Sequence, residues 1–185
     1  MVKEILKEAD ERMRKATEVV RQELVKIRTG KATTTLLDGI KVDYYGTQTP
    51  LAQVGNVSVA DVHTLTIQPW DKSMIDPIVK AVQTANLGLN PVSDSDVVRV
   101  PIPSLNEERR RELVKLSKKF GEDGKVAVRN IRRDAIEHLK KSEKAEHFSQ
   151  DERKKGETEA QRLTDKHIRE IDDLLAFKEK EIMEV

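Results

Sequence analysis

The chain has no cysteine. That excludes disulfides and thiolate metal sites, and it suits a reducing cytoplasm. No apolar run approaches the ~20 residues that a membrane-spanning helix needs. The first residues, MVKEILKEADERM, alternate acid and base and lack a signal-peptide core, so they are expected to begin the mature fold. Aromatic residues make up 3% and apolar residues 37%, against 36% charged. Such a balance is low for a globular core and typical of helices that expose much of their surface. Net charge is only +1, so affinity for a polyanion has to come from local asymmetry.

A second set of absences is local. Residues 31–103 contain no glutamate, although glutamate is abundant on both sides, and they hold all six prolines. Tyr44, Tyr45 and Trp70, both tyrosines and the only tryptophan, are also here. A shift of this kind marks a separate domain inserted between 1–30 and 104–185. Ile40 to Tyr45, Val57 to Val59, Thr64 to Gln68 and Val97 to Ile102 read as strands, with Gly46 turning the first into a further one. Met74 to Leu87 reads as a helix, with Pro77 tolerable in its first turn.

On either side of the insert the period is helical. Residues 2 to 28 carry Leu6, Met13, Val20 and Ile27 seven apart, with Ala9 and Ala16 between them, and Gly30 is positioned as a C-cap. A second helix is expected from a capping box at Ser104 and Glu107, or an N-cap at Asn106, to Lys144. Gly121 and Gly124 cost roughly 1 kcal/mol each inside it, but the apolar phase continues through them. The spacing therefore predicts a continuous helix that another helix approaches closely. Ser149 and Glu152 form another capping box. The third helix runs to Met183 with Ala160, Leu163, His167, Ile171, Leu174 and Ile182 inward. The expected fold is α+β: an antiparallel three-helix bundle with a small inserted β/α/β domain. The two are joined only at Thr29-Gly30-Lys31 and at Pro101, Pro103, Ser104 and Leu105. Two short connections form a candidate hinge, one strand flexible at Gly30 and one stiffened by proline.

Catalytic chemistry is hard to find. Gly30-Lys31-Ala32-Thr33 resembles the end of a phosphate-binding loop, but Val25 stands where the first glycine belongs and Ala32 where a hydroxyl should bind magnesium. The four histidines show no metal-ligand spacing, and His167 reads as a packed core residue. Asp94-Ser95-Asp96 reads as a turn. No nucleophile sits in an elbow or triad context.

What stands out is charge. Arg109 to Arg133 holds ten basic and three acidic residues, net +7. Leu113, Leu116, Phe120, Gly124, Ala127 and Ile131 form one face. Arg111, Lys115, Lys118, Lys125, Arg129 and Arg132 follow two residues out of phase, about 200° round the helix, interrupted only by Glu122. Such a stripe is expected on the opposite side from the apolar face. Arg129, Arg132 and Arg133 are its dense end, and arginine pairs with phosphate in a planar fork. Tyr44, Tyr45 and Trp70 do not interleave with these arginines, so the pattern suits backbone and shape recognition of folded RNA rather than base stacking. A solvated charged face remains the plain alternative.

Several stretches together resemble the bacterial ribosome recycling factors. They are Ile27 to Ala32, Pro69-Trp70-Asp71, Asn86 to Pro91, Leu105 to Arg110, and Val128 to Asp134; Asn106 departs from the threonine common there. The similarity covers the whole length. It implies an L-shaped two-domain protein resembling transfer RNA. It implies binding to large-subunit rRNA after termination, and splitting of the ribosome together with elongation factor G. The GTP is bound by that partner. The family hydrolyses nothing itself. Arg129 and Arg132, with Arg28 near the hinge, match the rRNA-contacting positions by motif, and Arg110 and Arg133 lie in the same motifs. The implied protein is a cytoplasmic monomer with no cofactor, no metal, no DNA and no membrane partner. Two rivals from other classes are a helical adaptor or chaperone for an acidic protein and a nucleotide-driven enzyme. Salt dependence of ribosome binding separates the first, and intrinsic nucleotide turnover the second.

Overall fold

Helical periodicity at both ends and short alternating runs between them produce two separate units in a computed structural model, which describes residues 1–145 and 147–184. Glu146 and Val185 lie outside the described residues. One unit is Met1–Arg28 with Glu107–Glu184, and the other is Thr29–Asn106.

The first unit is three helices, α1 (Val2–Val25), α4 (Glu107–Lys144) and α5 (Gln150–Met183), each packed on the other two. At 1.5 Å per residue α4 is about 57 Å long. Its two glycines do not break it. A Cβ on Gly121 would stand under 3.0 Å from the Leu175 side chain of α5, and one on Gly124 equally close to Val20 of α1. The helix therefore continues because its neighbours need the missing side chains. α5 opens on the expected capping box, with the Ser149 hydroxyl accepting the Glu152 N–H and the Glu152 carboxylate accepting the Ser149 N–H. α4 begins at Glu107, so Asn106 rather than Ser104 stands at its N-cap position.

The apolar phase within the bundle differs from the expectation. The buried seam of α4 is Leu113, Ser117, Gly121, Gly124, Val128, Ile131, Ala135, Leu139 and Ser142. Leu116 is exposed, and Phe120 and Ala127 are only half-buried. Close helix approach selects small residues, and Ser117 satisfies its hydroxyl on the Leu113 carbonyl at 2.9 Å. In α5, Leu175 and Lys178 are buried while Leu174 is half-buried. Also corrected is the end of α1. The helix stops at Val25 with Lys26 as C-cap, so Gly30 is not its cap.

The second unit holds the hairpin β1 (Lys41–Tyr44) and β2 (Thr47–Pro50), then a single helical turn α2 (Leu51–Val54). An antiparallel sheet follows from β3 (Gly55–Asp61), β4 (Thr64–Pro69), β5 (Val92–Asp94) and β6 (Val97–Pro101), in the order β3-β4-β6-β5. Helix α3 (Ile75–Thr84) covers one face, bringing Ile78 and Val82 onto Leu65, Ile67, Val98 and Val100. It is shorter than the expected Met74 to Leu87. Met74 closes a 3-10 turn, and Asn86 and Gly88 beyond it have positive φ. Neither β5 nor α2 was legible: β5 is three exposed edge residues and α2 a single turn. Pro101 is the last residue of β6, paired opposite Thr64, so it belongs to the sheet rather than to a free connection.

Candidate nucleic-acid interface and joint

The basic stripe lies on α4, but not opposite the buried seam. Lys125 is only 19% exposed and pairs with Asp172, and Lys118 reaches Glu179 at 4.0 Å. Both carboxylates are on α5, so the stripe runs along that flank. The seam's shift toward Ser117 and Gly121 explains the difference, since it turns the stripe to about a quarter-turn from the core. Arg111 pairs with Glu107 one turn back, and Arg129 with Glu122 at 3.1 Å. Much of the stripe is thus sign-mixed, as charged helix faces usually are.

Its C-terminal end is different. Arg132 Nη1 donates to the Gln161 amide oxygen at 2.8 Å, and Gln161 Nε2 donates onward to Asp165 at 2.8 Å. The contact orients the guanidinium without neutralising it. The Arg133 side chain is exposed and makes no hydrogen bond or ion pair among the described residues. Neighbouring Asp134 is occupied by Arg12 of α1 at 2.9 Å. Arg132 and Arg133 therefore present charge that the fold leaves unspent, while Arg129 is partly spent. Arg110 is half-buried and Arg28 exposed, each with its own contacts.

In the bundle core, His167 is 2% exposed, as expected of a packed histidine. Its Nε2 lies 2.7 Å from Asp10 Oδ1 and its Nδ1 3.3 Å from Glu170. No group of His, Cys, Asp or Glu among the described residues could hold a metal ion. No described helix is long and apolar enough to cross a membrane.

The expected hinge residues Thr29, Gly30, Lys31, Pro101, Pro103, Ser104 and Leu105 all fall in the sheet unit. Gly30 has φ +77, and a Cβ there would lie 3.3 Å from Leu105 Cγ, 3.4 Å from Leu105 N and 3.5 Å from the Pro103 carbonyl oxygen. The two connections thus press together at Gly30, which needs glycine for both its conformation and its contact.

The aromatic side chains of the sheet unit are on its surface. Tyr45 (φ 48) and Gly46 (φ 84) make the two-residue turn of the β1–β2 hairpin. The Tyr45 hydroxyl donates to Asp71 at 2.9 Å, and Trp70 beside it is 70% exposed. The Ser73 backbone N–H, then its hydroxyl and that of Tyr45, hold the Asp71 carboxyl below the ordinary aspartate value. Trp70 also walls a hollow of about 440 Å³ lined by Asp38, Lys41, Leu51 and Asn56.

Long packed helices carrying a charged face, with a small antiparallel sheet and covering helix inserted between the first and second, define an α+β protein of two units. A model of the ribosome recycling factor family matches residues 20–183. A ribosome-recycling factor of Symbiobacterium thermophilum is 53% identical over 185 residues, covering all of both chains. That of Chlorobium phaeovibrioides is 51% identical over 184 residues, covering 100% of this chain and 99% of its own. A solution structure of a ribosome recycling factor superposes with TM-score 0.74 at 44% identity, over 100% of this chain and 98% of that one. The Thermus thermophilus factor, described with Escherichia coli elongation factor G on the E. coli post-termination complex, gives TM-score 0.63 at 43% identity over 99% of each chain. The chain belongs to the ribosome recycling factor family.

Proposed function

We propose that this chain binds the post-termination ribosome and, with elongation factor G and GTP, splits it into subunits. The observation that carries the reading is full-length similarity: relatives at 51–53% identity cover both units, not the bundle alone. The bundle is the part that holds large-subunit rRNA, through Arg132 and Arg133 first, then Arg129, with Arg28 and Arg110 at the margins. Guanidinium groups on a rigid helix suit phosphate oxygens along folded RNA. The sheet unit responds to elongation factor G through the joint at Thr29 to Lys31 and Pro103 to Leu105. GTP belongs to the partner, and this chain turns over no nucleotide and works as a cytoplasmic monomer. An adaptor for an acidic protein is the weaker reading, because the full-length relatives are ribosome recycling factors.

The test is sedimentation of model post-termination ribosomes with this protein, elongation factor G and GTP. Free subunits should accumulate only when all three are present. Intact ribosomes under those conditions would sink the reading. GTP hydrolysis by this chain alone would remove its non-enzymatic half.

A further inference from the structure

The turn between β3 and β4 touches both connections at once. Asp61 Oδ1 accepts the His63 backbone N–H at 2.8 Å and fixes the turn. That N–H, followed by the Thr64 hydroxyl, keeps the Asp61 carboxyl below the ordinary aspartate value. The Val62 carbonyl accepts the Ala32 N–H at 2.8 Å, and the His63 carbonyl accepts the Ile102 N–H at 2.7 Å. The third bond is a side chain's: His63 Nδ1 lies 3.1 Å from the Gly30 carbonyl oxygen. A carbonyl only accepts, so Nδ1 carries the proton. Any residue at 62 or 63 could make the two backbone bonds. The bond to Gly30 needs a donor at the Nδ1 position.

We infer that His63 is a positioning residue of the joint: its Nδ1–H latches the Gly30 carbonyl to the sheet unit. Gly30 is the residue whose left-handed backbone turns the first connection against Leu105. Fixing its carbonyl holds that turn. With the latch closed, the first connection is pinned up to Gly30 and the second up to Ile102. Only the residues around Thr29 and from Pro103 to Asn106 are then left to move. With the latch open, the first connection is loose as far as the Ala32 bond. A longer loose tether samples more conformations and transmits less of a push from one unit to the other. The inference rests on the recycling reading only where it concerns splitting.

Three variants separate the donor from the ring: His63→Leu keeps bulk without a donor, His63→Asn places an amide N–H where Nδ1 stood, and His63→Gln places it one bond further out. The readouts are thermal midpoint, ribosome binding, splitting rate with elongation factor G and GTP, and ¹⁵N relaxation of the Thr29, Gly30 and Lys31 amides. In His63→Leu those amides should become more mobile and splitting should slow roughly fivefold, the factor one ordinary hydrogen bond is worth. Ribosome binding should be unchanged. His63→Asn should restore both, and His63→Gln should not. Wild-type splitting by His63→Leu would overturn the latch. So would equal slowing in Leu and Asn, which would make the ring's packing the cause. If His63→Leu does not fold, imidazole ¹⁵N shifts of the wild-type protein decide at mildly alkaline pH: Nδ1 must be the protonated nitrogen, and an unprotonated Nδ1 overturns the proposal. Failure of wild-type protein to split ribosomes would instead strike the recycling reading. The relaxation and tautomer results stand apart from it.

Discussion

The two units solve the packing problem in opposite ways. The bundle brings backbones together by leaving side chains out: Gly121, Gly124 and Gly156 each sit where a neighbour's Leu or Val fills the space. Its buried polar residues Thr17, Ser117 and Thr164 turn their hydroxyls onto carbonyls of their own helices. The sheet unit fills its centre with branched side chains, among them Val42, Leu65, Ile67, Ile78, Val82, Val98 and Val100, all 0% exposed. The outer surfaces diverge as well. The bundle is covered in ion pairs, whereas the glutamate-free sheet unit exposes Tyr45 and Trp70. Adding volume at its glycines should therefore break the bundle, and removing volume from its branched centre should break the sheet unit.

The largest expected effect tests the second half of that contrast. Ile67→Ala removes a fully buried side chain from the middle strand pair, leaving a cavity that the sheet cannot close. It should cost about 2–5 kcal/mol and unfold the sheet unit first. Chemical denaturation followed through Trp70 fluorescence reports this unit alone, since Trp70 is the only tryptophan. A loss under ~1 kcal/mol would show that the core repacks easily, and the contrast would fail.

Next comes addition to the bundle. Gly124→Ala improves intrinsic helix propensity by roughly 1 kcal/mol, so propensity alone predicts a more stable protein. The structure predicts the reverse. The new Cβ would fall under 3.0 Å from Val20, a β-branched residue with little rotamer freedom. A net loss of about 1–3 kcal/mol by helical circular dichroism is expected. A stabilised Gly124→Ala protein would show that the helices do not approach there.

Legibility in the sequence followed the range of the interactions. The Ser149–Glu152 capping box depends on neighbours within a few residues, and the alternation of β4 and the apolar period of α4 repeat over short windows. The pattern therefore shows all three, even though distant partners hold β4 and the α4 glycines in place. The phase of α4 does not. Leu116 and Phe120 look like core, and Ser117 and Gly121 do not, until α5 and its Leu175 are known to lie against that side. The partners of the stripe were hidden for the same reason, because Asp172, Glu179 and Gln161 are on another helix. Gly30 was misread because glycine after a helix signals a cap, while its actual neighbour, Leu105, is far along the chain. Family membership came from particular motifs. No physical feature of the stripe would have distinguished rRNA from another polyanion.

A smaller effect is expected at Gly30, where φ +77 and contact with Leu105 both oppose a side chain. Gly30→Val should cost about 1–2 kcal/mol from the left-handed backbone alone. Because α1 ends at Val25, the loss should appear in the sheet unit's transition and not in the bundle's. Equal loss in the bundle would return Gly30 to the role of a helix cap. Under the proposed function, folded Gly30→Val protein should bind ribosomes normally and split them slowly.

The smallest effect on stability, and the sharpest on function, belongs to the end of the stripe. Exposed arginine-to-alanine changes usually move stability by no more than ~0.5 kcal/mol. Arg132 gives up one exposed hydrogen bond, from its charged guanidinium to the neutral Gln161 amide, and Arg133 gives up none among the described residues. Arg132→Ala and Arg133→Ala should therefore melt like the wild type. If both meet phosphate, each should lower ribosome affinity and reduce the slope of log affinity against log salt by about one. Arg129 begins paired with Glu122, so binding phosphate first costs it that contact, and Arg129→Ala should lose less. Glu122→Gln releases the guanidinium and should raise affinity through Arg129 alone. The gain should vanish in the Glu122→Gln, Arg129→Ala double variant. An unchanged salt slope in Arg132→Ala and Arg133→Ala, with wild-type circular dichroism, would make the stripe a solvated face and overturn its part in the proposed rRNA contact.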